Sequence, residues 1–225
     1  MKYTVFTLLT FVMLLSCNQG ENNPTKPSND QAIFESIRVD RFAVKDGNPD
    51  STTLSSYILR TFDEAGTETK SVYHSTDNAI MMQFVNNYED GNKTRINWVN
   101  ANDELVKYVK NTFNNDNRLI RSESFSPEHE FQSGFIHNWK DDGKVEEKGP
   151  IEEGQTFKPN AIYTYNDQEE FELLKEYDKN DSLYAVVRWN YVSNDELGNW
   201  TERQMITNDT INQIEKRSIK YKKGK

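Results

Sequence analysis

The strongest constraint on the fold of this 225-residue chain is an aromatic residue that recurs every 25 or 26 positions. The recurring residues are Phe62, Tyr88, Phe113, Trp139, Tyr165 and Tyr191. Four positions before each of them stands an apolar residue: Ile58, Phe84, Val109, Phe135, Ala161 or Val187. Residues two and four apart share one face of a β-strand, so this spacing predicts strands whose apolar and aromatic side chains point the same way.

Turn-forming residues separate these strands. Each aromatic residue is followed by a stretch rich in Asp, Asn or Gly, which favour tight turns, and a second such stretch recurs about half a period later. One period therefore holds two strands of roughly nine residues joined as a hairpin, because connections this short cannot cross over between parallel strands. Ile33 to Val44 and Asn212 to Lys222 look like one further strand at each end.

We therefore predict an all-β fold. It is an antiparallel up-and-down meander of about 12–14 strands built from 26-residue hairpin repeats. A twisted sheet of more than about ten strands tends to curl or close. We expect either a half-barrel or a barrel, with the recurring aromatic and apolar positions facing inward.

One segment also carries a family resemblance. The strand Trp189-Asn190-Tyr191 leads into Asp195-Glu196-Leu197-Gly198-Asn199-Trp200, followed by Arg203. This is similar to the Tyr-x-Tyr-Asp-x-x-Gly-Asn-Trp-x-x-Arg element of YD (RHS-type) repeats found in bacterial lipoproteins, with Val192-Ser193-Asn194 inserted. Tyr163-Thr164-Tyr165-Asn166 matches its first part with Asn in place of Asp. The resemblance implies a β-hairpin repeat architecture and no catalytic residues.

The N-terminal segment is typical of a lipoprotein signal. Val5 to Leu15 is apolar but too short to span a bilayer. The run Leu14-Leu15-Ser16-Cys17 resembles the bacterial lipobox, whose Cys is lipidated, and Cys17 is the single cysteine of the chain. We predict a signal peptide over residues 1–16, a polar tether over 17–31 and one β-repeat domain over 32–225. The predicted partner is a membrane, reached through the lipid anchor, in the cell envelope at the outer membrane, with the leaflet left open.

Composition limits the classes of function. The 36 acidic residues outnumber the 27 Lys and Arg residues and give a net charge of −9, which argues against a nucleic-acid partner. Hydrophobic residues make up 35% of the chain, below the usual share of about 45–50%, so we do not expect a large apolar core. Aromatic residues at 12% argue against disorder.

Outer-membrane barrels share the meander, but the second strand of each predicted hairpin is heavily charged. Examples are Arg121 with Glu123, Glu146 with Lys148, and Lys175. A lipid-facing band would hold such charges at mid-depth only at a cost of about 2–4 kcal/mol each for Lys and Arg. We therefore predict a sheet that is not embedded in the membrane.

No catalytic, cofactor or metal signature stands out. Glu128-His129-Glu130 follows Pro127 and is typical of a solvated turn, and His137 is expected to be a hydrogen-bonded residue of the inward row. Asp178-Lys179-Asn180-Asp181-Ser182 lacks the Gly and distal Glu of an EF-hand loop. We therefore predict no cofactor, no metal site and no catalytic residues.

These observations favour a non-enzymatic binding or scaffold lipoprotein. Its ligand could be a glycan that stacks on Trp98, Trp139, Trp189 and Trp200, although we expect these residues to fill the sheet. The alternatives are a lipid or lipoprotein carrier with an apolar concave face, or an enzyme with an unrecognised carboxylate or His site. The basic C-terminus, with Lys216, Arg217, Lys220, Lys222, Lys223 and Lys225, is interpreted as a guard on an edge strand rather than a contact with anionic lipid or polysaccharide.

Three short motifs are similar to a bacterial O-glycosylation acceptor. They are Asp50-Ser51-Thr52, Asp181-Ser182-Leu183 and Asp209-Thr210-Ile211. All three fall at expected loop or turn positions, where a hydroxyl is accessible. We therefore name Ser51, Ser182 and Thr210 as candidate acceptors.

Overall fold

The computed structural model describes residues 33–45, 48–140, 143–152, 156–166 and 170–222. The first seven strands are β1 Phe34–Lys45, β2 Asn48–Phe62, β3 Glu68–Ser75, β4 Ile80–Glu89, β5 Asn92–Val99, β6 Leu105–Phe113 and β7 Leu119–Phe125. The other seven are β8 Phe131–Lys140, β9 Val145–Pro150, β10 Ala161–Tyr165, β11 Phe171–Tyr177, β12 Leu183–Asn194, β13 Trp200–Thr207 and β14 Thr210–Tyr221. The predicted signal peptide and the whole predicted tether, including Cys17, lie outside the described residues.

Every strand pairs antiparallel with its neighbours in sequence, and β1 closes the sheet by pairing with β14. Ile37 lies opposite Ile219 across this closure, and Arg41 lies opposite Glu215. The predicted all-β meander is therefore confirmed at 14 strands. Of the two expected shapes, the chain adopts the closed barrel and not the half-barrel.

Several turns share one hydrogen-bond pattern that explains their composition. The first turn residue uses its side-chain oxygen to accept the backbone N–H groups two and four positions later. Asp63, Asn100 and Asp195 do so at 2.9–3.0 Å. Further along the turn a residue adopts a left-handed backbone, as at Asn117 with φ 57° and Asp181 with φ 62°. Asp and Asn supply both features at little cost, and Gly supplies the left-handed backbone, which is why these residues recur there.

In five of the six periods the apolar position lies deep inside the barrel, whereas Phe135 is half-buried. Ile58, Phe84, Val109, Ala161 and Val187 are all buried. The recurring aromatic residues also face inward, but they lie next to the turns and are half-buried, apart from Tyr165 at 6% exposure. The predicted inward orientation of these aromatic side chains is confirmed. Of the two residues expected to be fully buried, Tyr165 is buried, whereas Trp139 is only half-buried because it lies at the end of the barrel.

Charged side chains fill much of the remaining interior. Buried apolar residues form three clusters, centred on Trp189, Ile37 and Phe84. Between them lie buried ionic groups: Arg60, Glu68, Lys93, Glu146, Lys148, Arg203 and Glu215. Ion pairs and aromatic rings together therefore fill an interior for which a 35% hydrophobic chain has too few aliphatic residues.

The charged second strands are divided between the two faces of the sheet. Glu146 and Lys148 are buried in the interior, whereas Arg121 pairs with Glu123 at 2.8 Å on the outer face. Arg38 and Asp40 form a similar outer pair at 2.8 Å. The charged outer face is thus present, but the charges of Glu146 and Lys148 do not contribute to it because strand pairing places them inside with Tyr163.

The interpretation of the C-terminus as an edge guard is wrong. Since β14 pairs with β13 on one side and β1 on the other, it has no edge to protect. Arg217 instead stacks on Trp200, with its Cζ atom 3.8 Å from the ring centroid, and Lys216 pairs with Glu202 on the outer face. Lys223 and Lys225 lie outside the described residues.

Candidate functional site

A cavity of about 60 Å³ lies inside the barrel, on the side formed by β1 to β5 together with β13 and β14. Its apolar wall includes Trp98, Trp200 and Phe84, and its polar lining includes four arginines and two glutamates. A water-sized probe needs about 10–15 Å³. The cavity therefore has room for a few waters or one small ligand group.

The first polar wall is built on Glu68. Arg60 donates two hydrogen bonds to this carboxylate, from Nε at 3.1 Å and from Nη2 at 2.8 Å. Lys93 Nζ lies 3.4 Å from the same carboxylate. Burial alone would raise the pKa of Glu68, but the charges of Arg60 and Lys93 outweigh it and lower the pKa to about 2. Glu68 is thus ionised at neutral pH and pairs with both cations.

The second polar wall is built on Glu215, which is 1% exposed. Arg203 donates to its Oε2 at 2.8 and 2.6 Å, and Arg41 donates to its Oε1 at 3.0 Å. Burial again opposes ionisation, yet the two arginines hold the pKa of Glu215 below its ordinary value. The barrel closure places these groups together, because Arg41 lies on β1, Arg203 on β13 and Glu215 between them on β14.

Aromatic rings support the cations. The Cζ atom of Arg203 lies 3.9 Å from the Trp189 centroid and 4.1 Å from that of Trp200. Lys107 Nζ lies 3.7 Å from the Trp98 centroid. Such contacts fix the cation while leaving its donors directed sideways. The interior around the cavity therefore combines cations with flat aromatic surface.

A second polar cluster lies in the other half of the interior. Ser122 Oγ is 3.0 Å from His137 Nε2, His137 Nδ1 is 2.5 Å from Glu146 Oε1, and Tyr165 donates to Glu146 Oε2 at 2.6 Å. Burial lowers the pKa of His137 despite the nearby carboxylate. Burial opposes the charge on Glu146, but hydrogen bonds from His137 and Tyr165 keep its pKa below the ordinary value. The expectation of a hydrogen-bonded, inward-facing His137 is confirmed.

The three candidate O-glycosylation sites lie in different surroundings. Ser182 lies exposed in the turn between β11 and β12, and Thr210 is the exposed first residue of β14. Ser51 lies within β2 and not in the predicted loop, because β2 begins at Asn48 directly after a short connection. The structure leaves glycosylation of all three as a prediction.

The other residues singled out by the sequence do not form a site. Trp98, Trp189 and Trp200 are buried in the barrel interior, as expected, and Trp139 is half-buried. His129 lies in the exposed turn between β7 and β8. Within the described ranges no cluster of three His, Cys, Asp or Glu side chains could hold a metal ion. The described part of the chain also lacks a helix long and apolar enough to cross a bilayer.

Sequence reasoning missed the cavity arginines, although a signal was present. The residue two positions before each recurring aromatic lies between that aromatic and the apolar residue four positions before it. Because residues two apart share a face of a strand, this residue must face inward when the other two do. That row contains Arg60, Asn86, Asn111, His137, Tyr163 and Trp189. Polar members of an inward row mark the places where a site can form. The Arg41–Glu215–Arg203 contact has no such signal, because it depends on closure.

Comparison with known proteins bears on the fold. No protein-family profile and no curated protein matches this chain. Its barrel is similar to the crystal structure of a porin-like protein from Bacteroides uniformis, at 9% identity and TM-score 0.51, over 85% of this chain and 99% of that one. A domain named for outer membrane lipoprotein sorting, from Vibrio parahaemolyticus, is 13% identical with TM-score 0.36 over 84% and 86% of the two chains. A DUF1329 family protein from Desulfovibrio piger is 10% identical with TM-score 0.33 over 85% and 88%.

Proposed function

We propose that this protein is an envelope-anchored, non-enzymatic lipoprotein whose barrel is a binding module for a small ligand. The observation that carries the proposal is the cavity between the Glu68 and Glu215 walls, held open by side chains that are already fixed by ion pairs and rings. Ligand sites are commonly preformed concavities with a few well-placed polar groups on an apolar wall. This cavity has that composition.

The proposed anchor is the lipidated Cys17, with the barrel itself in water. Mid-strand ion pairs on the outer face, such as Arg38 with Asp40 and Arg121 with Glu123, suit an aqueous surface and would be costly against lipid. The fold likeness to a porin-like protein and the lipobox-like segment both fit the cell envelope. Under this proposal the acyl chains, and not the sheet, hold the protein to the membrane.

A lipid or lipoprotein carrier is the alternative within the same class. A carrier needs an apolar space large enough for an acyl chain. The cavity of about 60 Å³ is instead bounded by Arg41, Arg60, Arg203 and Arg217. Its size therefore favours a small ligand over an acyl chain.

An enzyme is the second candidate, and one observation favours it. The Ser122–His137–Glu146 chain connects a hydroxyl, a base and an orienting carboxylate in the order used for an activated nucleophile. Ser122 is only 2% exposed, however, and it lies in the middle of β7. A fluorophosphonate probe separates the two roles: we expect no label on the folded protein, and a label on Ser122 that disappears in Ser122→Ala would establish the enzyme.

The binding proposal is tested by filling the cavity. Ser71 lines it and lies opposite both Arg60 and Phe84, so Ser71→Leu extends into the space. Ser218→Leu makes the same change on an exposed position of β14 and is the matched control. Native mass spectrometry of protein isolated from its own envelope should show a non-covalent small-molecule adduct on the wild type and the control. The adduct should be lost in Ser71→Leu, and equal occupancy in all three proteins, or none in any, contradicts the proposal.

A further inference from the structure

Three large apolar side chains are exposed at one end of the barrel. Met81 on β4 is 60% exposed, Val106 on β6 is 41% exposed and Phe131 on β8 is 50% exposed. Because neighbouring strands are antiparallel, β4, β6 and β8 all begin at the end where β1 finishes. The chain termini lie at the other end, where Phe34 pairs with Tyr221.

Strand pairing joins these side chains into one strip on the outer face. Tyr108 pairs with Phe125 and precedes the core residue Val109, so both rings face outward. Val106 shares that face because it lies two positions before Tyr108 on β6. Phe131 packs against Phe125, with ring centroids 6.0 Å apart. The strip therefore crosses β6, β7 and β8 without a break.

Met81 extends the strip to β4. Since Phe84 belongs to the core, the alternation of the strand directs Gln83 and Met81 outward. Val99 pairs with Gln83 and lies on β5, between the strands of Met81 and Val106. The strip thus spans five adjacent strands, β4 to β8, which corresponds to about 19 Å.

Opposite charges border the strip on its two sides. Towards the end of the barrel lie the exposed carboxylates Glu104 and Glu130, which directly precede β6 and β8. Towards the middle of the barrel lies the exposed Lys110, which faces outward and pairs with Arg95 on β5. Along β6 the outer face is therefore acidic at Glu104, apolar at Val106 and basic at Lys110.

This order is self-complementary in one arrangement of two copies. When two barrels pack strip to strip with antiparallel axes, the acidic border of each strip meets the basic border of the other. A twofold interface of this kind uses the same patch on both subunits. With parallel axes the two acidic borders would face each other, which is unfavourable. We propose that a second copy of this chain covers Met81, Val106 and Phe131 in an antiparallel homodimer.

The size of the strip sets the strength of the dimer. From Glu104 to Lys110 the strip is about 20 Å long, so it covers roughly 400 Å² on each copy, about half the area of a standard interface. Interfaces of this size are typical of weak complexes. We therefore expect the dimer to form where the anchored protein is locally concentrated and to dissociate on dilution.

The proposed lipid anchor is compatible with antiparallel axes. The two N-terminal ends of such a dimer are separated along the barrel axis by about the length of a strand, which is ~30 Å for β6. The predicted tether over residues 17–31 reaches about 50 Å when it is extended. Both copies can therefore be attached to the same membrane.

Cysteine crosslinking tests the dimer in the native envelope. Val106 lies beside the twofold axis when Glu104 of one copy faces Lys110 of the other, so Val106→Cys should give a product of twice the protomer mass with a short bifunctional maleimide. Leu183→Cys is the matched control, because Leu183 is 51% exposed and also lies at the start of a strand, on β12. Both variants should react equally with a monofunctional maleimide. The proposal is overturned when Val106→Cys gives no dimer, gives only a product with another protein or with lipid, or gives no more dimer than Leu183→Cys.

Charge reversal tests the orientation in the Val106→Cys background. Glu104→Lys and Lys110→Glu each place like charges opposite each other and should each lower the yield of crosslinked dimer at least about fivefold. The double variant restores opposite charges and should return the yield to that of Val106→Cys alone. Unchanged yields in the single variants, or no recovery in the double variant, refute the antiparallel dimer.

The dimer does not depend on the ligand cavity. Phe131→Ser removes an apolar ring from the strip and should reduce the Val106→Cys crosslink about tenfold, whereas Leu183→Ser should leave it unchanged. The small-molecule adduct expected in the cavity should persist in Phe131→Ser. Loss of the crosslink with retention of the adduct therefore supports the dimer, and an unchanged crosslink in Phe131→Ser contradicts it whatever the state of the cavity.

Discussion

The indole Nε1 of Trp139 donates a 2.7 Å hydrogen bond to the carbonyl oxygen of Leu119, twenty positions earlier. The hydroxyl of Tyr88 makes the same bond to Glu68 at 2.9 Å, and the hydroxyl of Tyr191 makes it to Phe171 at 3.0 Å. Each acceptor is the first residue of a strand, next to a register shift. A register shift interrupts the ladder and leaves backbone groups to be satisfied in another way. Three of the six recurring aromatic residues therefore complete the backbone hydrogen bonding at one end of the barrel.

Replacing Trp139 with Phe should remove this bond and keep most of the packing. We expect a loss of about 1 kcal/mol in the free energy of unfolding, measured by denaturant titration. Trp139→Ala should cost more, because the ring also packs against Tyr165 with centroids 5.5 Å apart. Tyr191→Phe removes the equivalent bond and should behave like Trp139→Phe. A change below about 0.5 kcal/mol in both Phe variants, the range of ordinary surface substitutions, would show that these bonds do not stabilise the barrel.

Tyr165 should be the most sensitive of the recurring aromatic residues. Its ring is buried, and its hydroxyl donates to the buried Glu146. We expect Tyr165→Ala to cost about 3–5 kcal/mol of unfolding free energy through the cavity left behind. Tyr165→Phe should cost about 1–3 kcal/mol because a buried acceptor loses its donor. Equal effects of the two substitutions would mean that the hydroxyl, and not the ring, carries the whole contribution.

The stability of the barrel should fall in acid through Glu68. Its pKa is about 2 in the folded protein against an ordinary value of 4.5. A carboxyl group whose pKa is lowered by folding stabilises the folded state at any pH above its ordinary pKa. This contribution disappears as the pH falls from 4.5 towards 2. Glu68→Gln should therefore be less stable than the wild type at neutral pH and show a flatter pH profile in that window. Glu128→Gln, which alters an exposed turn residue, serves as control, and parallel profiles for Glu68→Gln and the wild type would contradict the assignment.

Cys17 should be the acylation site. Its position after Leu14-Leu15-Ser16, at the end of the apolar run, motivates the prediction. Labelled palmitate should enter the wild type and not Cys17→Ala, with both proteins quantified by immunoblot. Equal labelling of the two proteins would end the lipoprotein interpretation.

Glycosylation of Ser51, Ser182 and Thr210 is tested by intact mass. Ser182 lies in a turn and Thr210 directly follows one, and both are exposed, so these two sites should carry most of the modification. Protein from the native host should be heavier than the acylated polypeptide, and it should lose mass when the three residues are changed to Ala. A mass equal to the acylated polypeptide alone would remove the prediction, and loss at Ser51→Ala alone would contradict the preference for turns.

Strand number, direction and orientation were predictable because they follow from local chemistry. The Asp and Asn residues that begin the turns, such as Asp63 and Asn100, form the same hydrogen bonds wherever they recur. The alternation from Ile58 to Phe62 determines which face is inward without any long-range information. The same alternation also predicts that Arg60 faces inward. One cation of the polar wall built on Glu68 was therefore predictable from the sequence.

The rest depended on contacts between residues distant in sequence. Arg41 and Glu215 are 174 positions apart, and nothing in either strand indicates that they meet. The same closure accounts for the error at the C-terminus, where Lys216 and Arg217 suggested an exposed edge. A charged strand is ambiguous in a sequence, because the partner that would bury its charges belongs to another part of the chain.

Closure between β1 and β14 also limits the order in which the chain can fold. Each hairpin can form as soon as its two strands exist, but Phe34 finds its partner Tyr221 only when almost the whole domain has been synthesised. Pairing over such a sequence separation is slow because loop-closure entropy must be paid first. Until then β1 and the newest strand both present open edges, which can pair with other chains. The finished barrel has no edge, so its resistance to aggregation is acquired at the last step of folding.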